Sequence, residues 1–200
     1  SYHSGFGQIN FDLGFKEEVN IPETVAQVKD ADIVIFVGGI SPRLEGEEMG
    51  VDLPGFRKGD RTDIELPTIQ RQLLQALKAA GKKIVFINCS GSPIGLEPET
   101  KSCEAILQAW YPGQAGGTAV AETLFRAYNP PGALPVTFYK NVNQLPDFED
   151  YNMTNRTYRY FTDKPLFPFG YGLSYTTFTY GEAQIPATAK VNETIQINVP

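Results

Sequence analysis

The chain has 200 residues, 42% hydrophobic, 20% charged and 12% aromatic, with a net charge of −6. That length suits one domain able to bury roughly 70% of the surface its unfolded chain exposes. An acidic balance with only 17 Lys and Arg argues against nucleic acid as a partner, two cysteines and one histidine exclude a disulfide framework and most self-contained zinc sites, and no apolar run approaches the ~20 residues that cross a bilayer. Acidity combined with abundant Tyr and Phe suits a neutral polar ligand such as a sugar better than a polyanion.

In residues 7–14, Ile9, Phe11 and Leu13 alternate, which predicts a half-buried strand. A helix is predicted over residues 22–29, where Pro22 suits the first turn and Val25 and Val28 share a face. Residues 31–38 form a continuous β-branched run, the pattern of a central parallel strand buried on both faces. The stretch 39–62 has no period and carries Pro42, Gly46, Gly50, Pro54, Gly55 and Gly59, so it reads as one long loop of the kind that is functional or disordered.

Pro67 opens the clearest helix: Ile69, Leu73, Leu74 and Leu77 form an apolar stripe and Gly81 stops it. Strands are predicted at residues 83–88 and 105–110, and a helix through about Phe125 after the Gly-rich turn 111–117. A short strand at 134–139 belongs near an edge because Pro135 cannot complete a ladder. Residues 140–180 form an aromatic, loop-rich region, and the alternating residues 194–199 look like the first strand of a further β-domain. The start at Ser1 without Met and the stop at Pro200 read as the ends of a fragment, and a signal peptide is absent from it or already removed. Strands alternating with helices give an α/β fold, a layered sandwich with a mostly parallel sheet and helices on both faces.

In such a sheet ligands bind outside the carboxyl ends of the strands, which here means the loops after Gly38, Asn88, Trp110 and Tyr139. The first holds Glu45, Glu47 and Glu48 within four positions. Crowded carboxylates raise one another's pKa, as a general acid requires, but a solvated acidic loop would read the same. Asp60, Arg61 and Asp63 suit a structural ion pair or a cap for the helix near Pro67. The Gly113–Gly117 turn offers either an anion site or tight strand–helix packing; it does not match G-x-G-x-x-G. Cys89 and Cys103 read as buried, inert thiols, and Ser90 and Ser92 have no nearby His to act as base. Four sequons, at Asn88, Asn152, Asn155 and Asn192, are too short a pattern to carry function. The aromatic runs 156–161 and 165–175 suit a sugar subsite and a clamp over a sheet edge equally.

Six motifs in order carry a resemblance: Asp32 through Pro42, Leu44-Glu-Gly-Glu-Glu48, Gly59-Asp-Arg61, Trp110 through Ala119, Asn129 through Thr137, and Pro168-Phe-Gly-Tyr-Gly-Leu-Ser-Tyr175. Together they resemble the C-terminal α/β-sandwich domain of glycoside hydrolase family 3, over about residues 7 to 180, with the acidic loop and Arg156 through Phe161 most like its β-xylosidase and β-glucosidase branch. Pro131 and Ala133 depart from the family's usual turn, which touches packing more than chemistry.

The resemblance implies one domain over residues 1–180, with 181–200 a linker and the truncated start of a fibronectin type III-like β-domain. It implies a retaining, exo-acting β-glycosidase acting on oligosaccharides, as in xylan degradation, with no cofactor and no metal. An N-terminal (β/α)8-type barrel of the same polypeptide would supply the aspartate nucleophile, and this domain the general acid/base. On that reading Glu45 is the acid/base and Glu48 the runner-up, Asp60 and Arg61 brace the loop through an ion pair, and Arg156 and Tyr158 line the entrance. The substrate class implies a periplasmic or secreted location. Two other readings stand beside it: a non-catalytic sugar-binding or barrel-bracing module, and, less supported for want of a phosphate loop, a flavodoxin-like nucleotide binder.

Overall fold

A computed structural model of the chain describes residues 19–45 and 50–200. The strand expected at residues 7–14, and Glu47 and Glu48, lie outside the described residues. In chain order the elements are α1 (Ile21–Gln27), β1 (Ile33–Gly39), β2 (Asp52–Leu53), β3 (Phe56–Arg57), β4 (Asp60–Arg61), α2 (Thr68–Ala79), β5 (Lys83–Cys89), α3 (Glu97–Ser102), β6 (Ala105–Gln108), α4 (Gly116–Leu124), a 3₁₀ turn at Val142–Gln144 and α5 (Thr157–Tyr160).

The main sheet is parallel, in the order β1-β5-β6, with Phe36 beside Phe86 and Phe86 beside Ile106. Paired residues of a parallel ladder share a face, so this row looks into the first core, which also gathers Leu73, Leu74 and Leu77 from α2 and Ile84 from β5. The next row, Val37, Ile87 and Leu107, looks the other way, and Leu107 lines a cleft with Gly116, Val120 and Thr123 of α4. Helices therefore flank both faces, α2 on one and α4 on the other. The central strand among the described residues is β5, whereas β1 is at the edge with Ile33, Ile35 and Val37 exposed. Its continuous apolar run does not make it buried on both faces here.

The ends of β1 and β5 are joined closely. Gly39 has φ +121°, and Ile40 donates to the Cys89 carbonyl at 2.8 Å. The buried Gln70 of α2 bonds both backbone groups of Gly39, accepting from its N–H and donating to its carbonyl, each at 2.8 Å. A side-chain amide thus satisfies both backbone groups of Gly39, so the carboxyl end of β1 is held where the next loop departs.

That loop is not structureless. β2, β3 and β4 form a small antiparallel meander, turned by Pro54-Gly55, with Gly55 at φ +88°, and by Lys58-Gly59, both at positive φ. These are the conformations that two-residue turns demand. Leu44 and Phe56 are buried in the first core, which pins both arms of the loop. Residues 134–139 form no strand of the main sheet. They run beside 166–171 through Leu134 to Tyr171, Gly170 to Leu134, and the Phe138–Phe167 bridge, with Pro135 interrupting the ladder. Residues 181–200 are exposed throughout and hold one antiparallel bridge, Gln184 with Asn198.

Candidate active site

Glu45 follows the buried Leu44 in a turn capped by the Ser41 carbonyl, which accepts from the N–H of Leu44 at 2.9 Å and of Glu45 at 3.4 Å. Its side chain is only 12% exposed. Gly91 N–H donates to Oε2 at 2.8 Å, the Tyr111 hydroxyl donates to the same oxygen, and the Ser92 hydroxyl donates to Oε1. The Arg61 guanidinium lies 3.6 Å from Oε1. Each of these groups is a donor or a cation, the complement of an acceptor-only carboxylate.

Arg61 is itself tightly framed. It donates to the carbonyls of Asp63 at 3.0 Å and Glu65 at 3.2 Å and to Ser92 Oγ at 3.2 Å, and it stacks 5.2 Å from the centre of the Phe56 ring. Burial pulls the guanidinium below its ordinary pKa, and the charges of Glu45 and Asp63 work against that. At Tyr111 burial acts first and the Glu45 hydrogen bond and charge second, and the phenol is pushed well above its ordinary value. Gly91 is required by contact: a Cβ there would meet Tyr111 Cε2 at 2.6 Å and Glu45 Oε2 at 3.0 Å.

The site therefore assembles three of the four expected loops, those after β1, β5 and β6. The fourth, after Tyr139, turns elsewhere: Tyr139 packs edge-on to Phe161 and accepts from Thr157 N–H at 3.1 Å. Asp60 is exposed, and among the described residues the ion pair of Arg61 is with Glu45 and not with Asp60. Asp63 does not cap α2; its carboxylate accepts from Glu65 N–H at 2.9 Å. Arg156 is spent on the backbone of its own loop, donating to the carbonyls of Asn152 at 2.9 Å, Asp147 at 3.3 Å and Asp150. Tyr158 stacks on Phe169 with centroids 4.6 Å apart, beside an open cavity of about 310 Å³, and has no contact with the Glu45 group. At the Gly113–Gly117 turn a Cβ on Gly116 would lie 2.3 Å from Pro112, so close packing within the loop itself requires that glycine.

Fold and site together define an α/β domain presenting one enclosed carboxylate at the carboxyl edge of a parallel sheet. The glycosyl hydrolase family 3 C-terminal domain model matches residues 6–175, and the chain belongs to that family. It is 63% identical over 179 residues to a xylan 1,4-beta-xylosidase of Xylanibacter ruminicola, covering 90% of this chain and 21% of that protein. It is 40% identical over 177 residues to a periplasmic beta-glucosidase of Salmonella typhimurium, covering 82% and 22%. Among solved structures, a β-glucosidase from Erythrobacter marinus superposes with a TM-score of 0.73 at 36% identity, over 90% of this chain and 24% of that one. A Listeria innocua beta-glucosidase solved with isofagomine superposes at 0.69 and 26% identity, over 90% and 25%. The chain thus spans about a fifth to a quarter of the relatives it matches.

Proposed function

We propose that the chain acts within a retaining, exo-acting β-glycosidase, a β-xylosidase or β-glucosidase of plant-type oligosaccharides, with Glu45 as general acid/base. The observation that carries this is the enclosed Glu45 carboxylate, held by three strand-end loops where α/β sheets bind ligands. Glu45 would protonate the glycosidic oxygen as the bond breaks and then take a proton from the water that releases the sugar. The partner nucleophile is an aspartate of an N-terminal (β/α)8-type barrel of the same polypeptide, about 5–5.5 Å from Glu45 across the interface. The relatives' greater length and names support that division. Without the barrel the domain hydrolyses nothing appreciable.

Arg61 positions the carboxylate, and Arg156 shapes the loop that presents Tyr158 at the entrance. Residues 1–180 form the sandwich domain, and 181–200 lead into a fibronectin type III-like domain. A periplasmic or secreted location follows from the polymeric substrate and is supported by the name of the Salmonella relative.

The test uses the full-length polypeptide with an activated aryl glycoside and an unactivated oligosaccharide. Glu45→Ala should lower turnover of the oligosaccharide by about 10²–10⁴-fold and affect the aryl substrate far less, because a good leaving group needs little protonation. Equal loss on both would assign the role to another group, with Glu48 next to be tested.

A further inference from the structure

Behind the Gly91–Ser92 turn lies a second polar group that makes no contact with Glu45. Asn88 and Ser90 are both fully buried at the end of β5, and Gln108 ends β6 beside them. Asn88 Nδ2 donates to Gln108 Oε1 at 2.6 Å and to Ser90 Oγ at 3.2 Å, and Gln108 Nε2 donates to Ser90 Oγ at 3.2 Å. Burial also closes the Asn88 sequon to modification in the folded chain. Buried amides and hydroxyls carry a desolvation cost, so such a group under a loop calls for a reason.

The hydrogen-bond arithmetic supplies one. A serine hydroxyl has two acceptor positions and one proton. Both acceptor positions of Ser90 are taken by amide donors, so its proton points outward, to the Ser92 carbonyl at 2.8 Å. That bond sets the peptide that carries the Ser92 side chain, and the same turn aims Gly91 N–H and Ser92 Oγ at the two oxygens of Glu45. Gln108 is oriented in turn by Asn88, which takes its oxygen and leaves its nitrogen for Ser90.

We propose that Gln108 is a positioning residue for Glu45, acting through Ser90 on the turn that grips both carboxylate oxygens. The inference rests on the reading of Glu45 as the acid/base. Replacing Gln108 frees one acceptor position of Ser90 and releases the direction of its proton. The Gly91–Ser92 turn then loses its tie, and the carboxylate loses its aim. Small displacements of a reacting group cost up to about 10²-fold in rate.

The test measures kcat and KM of the full-length polypeptide on an unactivated oligosaccharide and an activated aryl glycoside. Gln108→Met, close in volume and without either amide function, should lower kcat on the oligosaccharide by about tenfold, with KM nearly unchanged and a smaller effect on the aryl substrate. Gln108→Glu keeps the acceptor for Asn88 but draws the Ser90 proton away from Ser92, so the same split is expected in a side chain of the same shape. It also serves if the methionine variant fails to fold. Unchanged kcat in Gln108→Glu, or equal losses on both substrates, overturns the positioning role. Glu45→Ala run alongside separates the two claims: if it shows the leaving-group split and the Gln108 variants do not, only this inference fails. If Glu45→Ala shows no split, the acid/base reading fails first.

Discussion

Tyr111 donates its hydroxyl to Glu45 from a position 66 residues further along the chain. Burial and the carboxylate both hold the phenol protonated, with its pKa well above the ordinary value of about 10. A difference titration at the phenolate absorbance, wild type minus Tyr111→Phe, should show one group ionising later than the rest, and Glu45→Gln should bring it earlier. Because the folded value is raised, its contribution to stability is complete below about pH 10 and declines as pH rises beyond it, where the unfolded chain ionises first. A midpoint near the ordinary value would mean the hydrogen bond is not kept in solution.

Gly39 is a second position where geometry allows one residue. Its φ is +121°, and a Cβ would lie 1.9 Å from the Cys89 carbonyl oxygen. Gly39→Ala should therefore lower stability by more than about 3 kcal/mol in urea unfolding. Gly117, inside α4 with nothing within 4 Å of its would-be Cβ, should respond oppositely, gaining about 0.5–1 kcal/mol as alanine. A Gly39→Ala variant no less stable than the wild type would show that the Cys89 contact relaxes without cost.

The parts of this structure that were legible in the sequence carry a long repeated signal. The stripe at Leu73, Leu74 and Leu77 gave α2, all three are buried, and Gly81 ends it at φ +76°. The runs that became β1 and β5 were equally plain, although nothing local said that β5 would be the central strand among the described residues. The meander β2-β3-β4 was hidden because two-residue strands have no alternation, and only the Pro54-Gly55 and Lys58-Gly59 turns announced it. The six residues of α3 carry no apolar period. Within the site, the acidic cluster 45–48 is visible in the sequence, but only the resemblance singles out Glu45 from it. Ser92 and Tyr111 did not stand out, since what makes them partners is the meeting of loops 47 and 66 residues away. The resemblance points Arg156 to the entrance, whereas its guanidinium ties the carbonyls of its own loop.

Arg71 of α2 bonds Glu99 of α3 through Nε at 2.7 Å and Nη2 at 3.1 Å, and also reaches Glu65 at 2.7 Å and the Gly95 carbonyl at 2.8 Å. Glu99 is 1% exposed, so Arg71→Met should cost about 3–5 kcal/mol by leaving a buried charge unpaired. The double variant Arg71→Met/Glu99→Leu should recover most of that, because the charge and its desolvation are removed together. Additive losses in a double-mutant cycle would mean that Glu65 and Gly95 carry the coupling instead.

Cys103 sits where burial, followed by the charges of Glu99 and Glu104, pushes its thiol up to about 12, and burial alone raises Cys89. At pH 8 the thiolate of Cys103 is then on the order of 10⁻⁴ of the total, against roughly a quarter for an unperturbed thiol near 8.5. Alkylation of Cys103 in the native chain should be about a thousandfold slower than that of a free thiol and should become fast in urea, which removes the burial. The sign for stability follows from the raised folded value: the unfolded thiol loses its proton first, so stability declines as pH climbs from about 8.5 towards 12. Cys103→Ser should leave the neutral-pH unfolding midpoint changed only by lost packing and flatten this alkaline decline. Rapid native-state labelling at pH 8 would instead mean that the half-buried Cys103 thiol is not held protonated and would remove the basis for the decline.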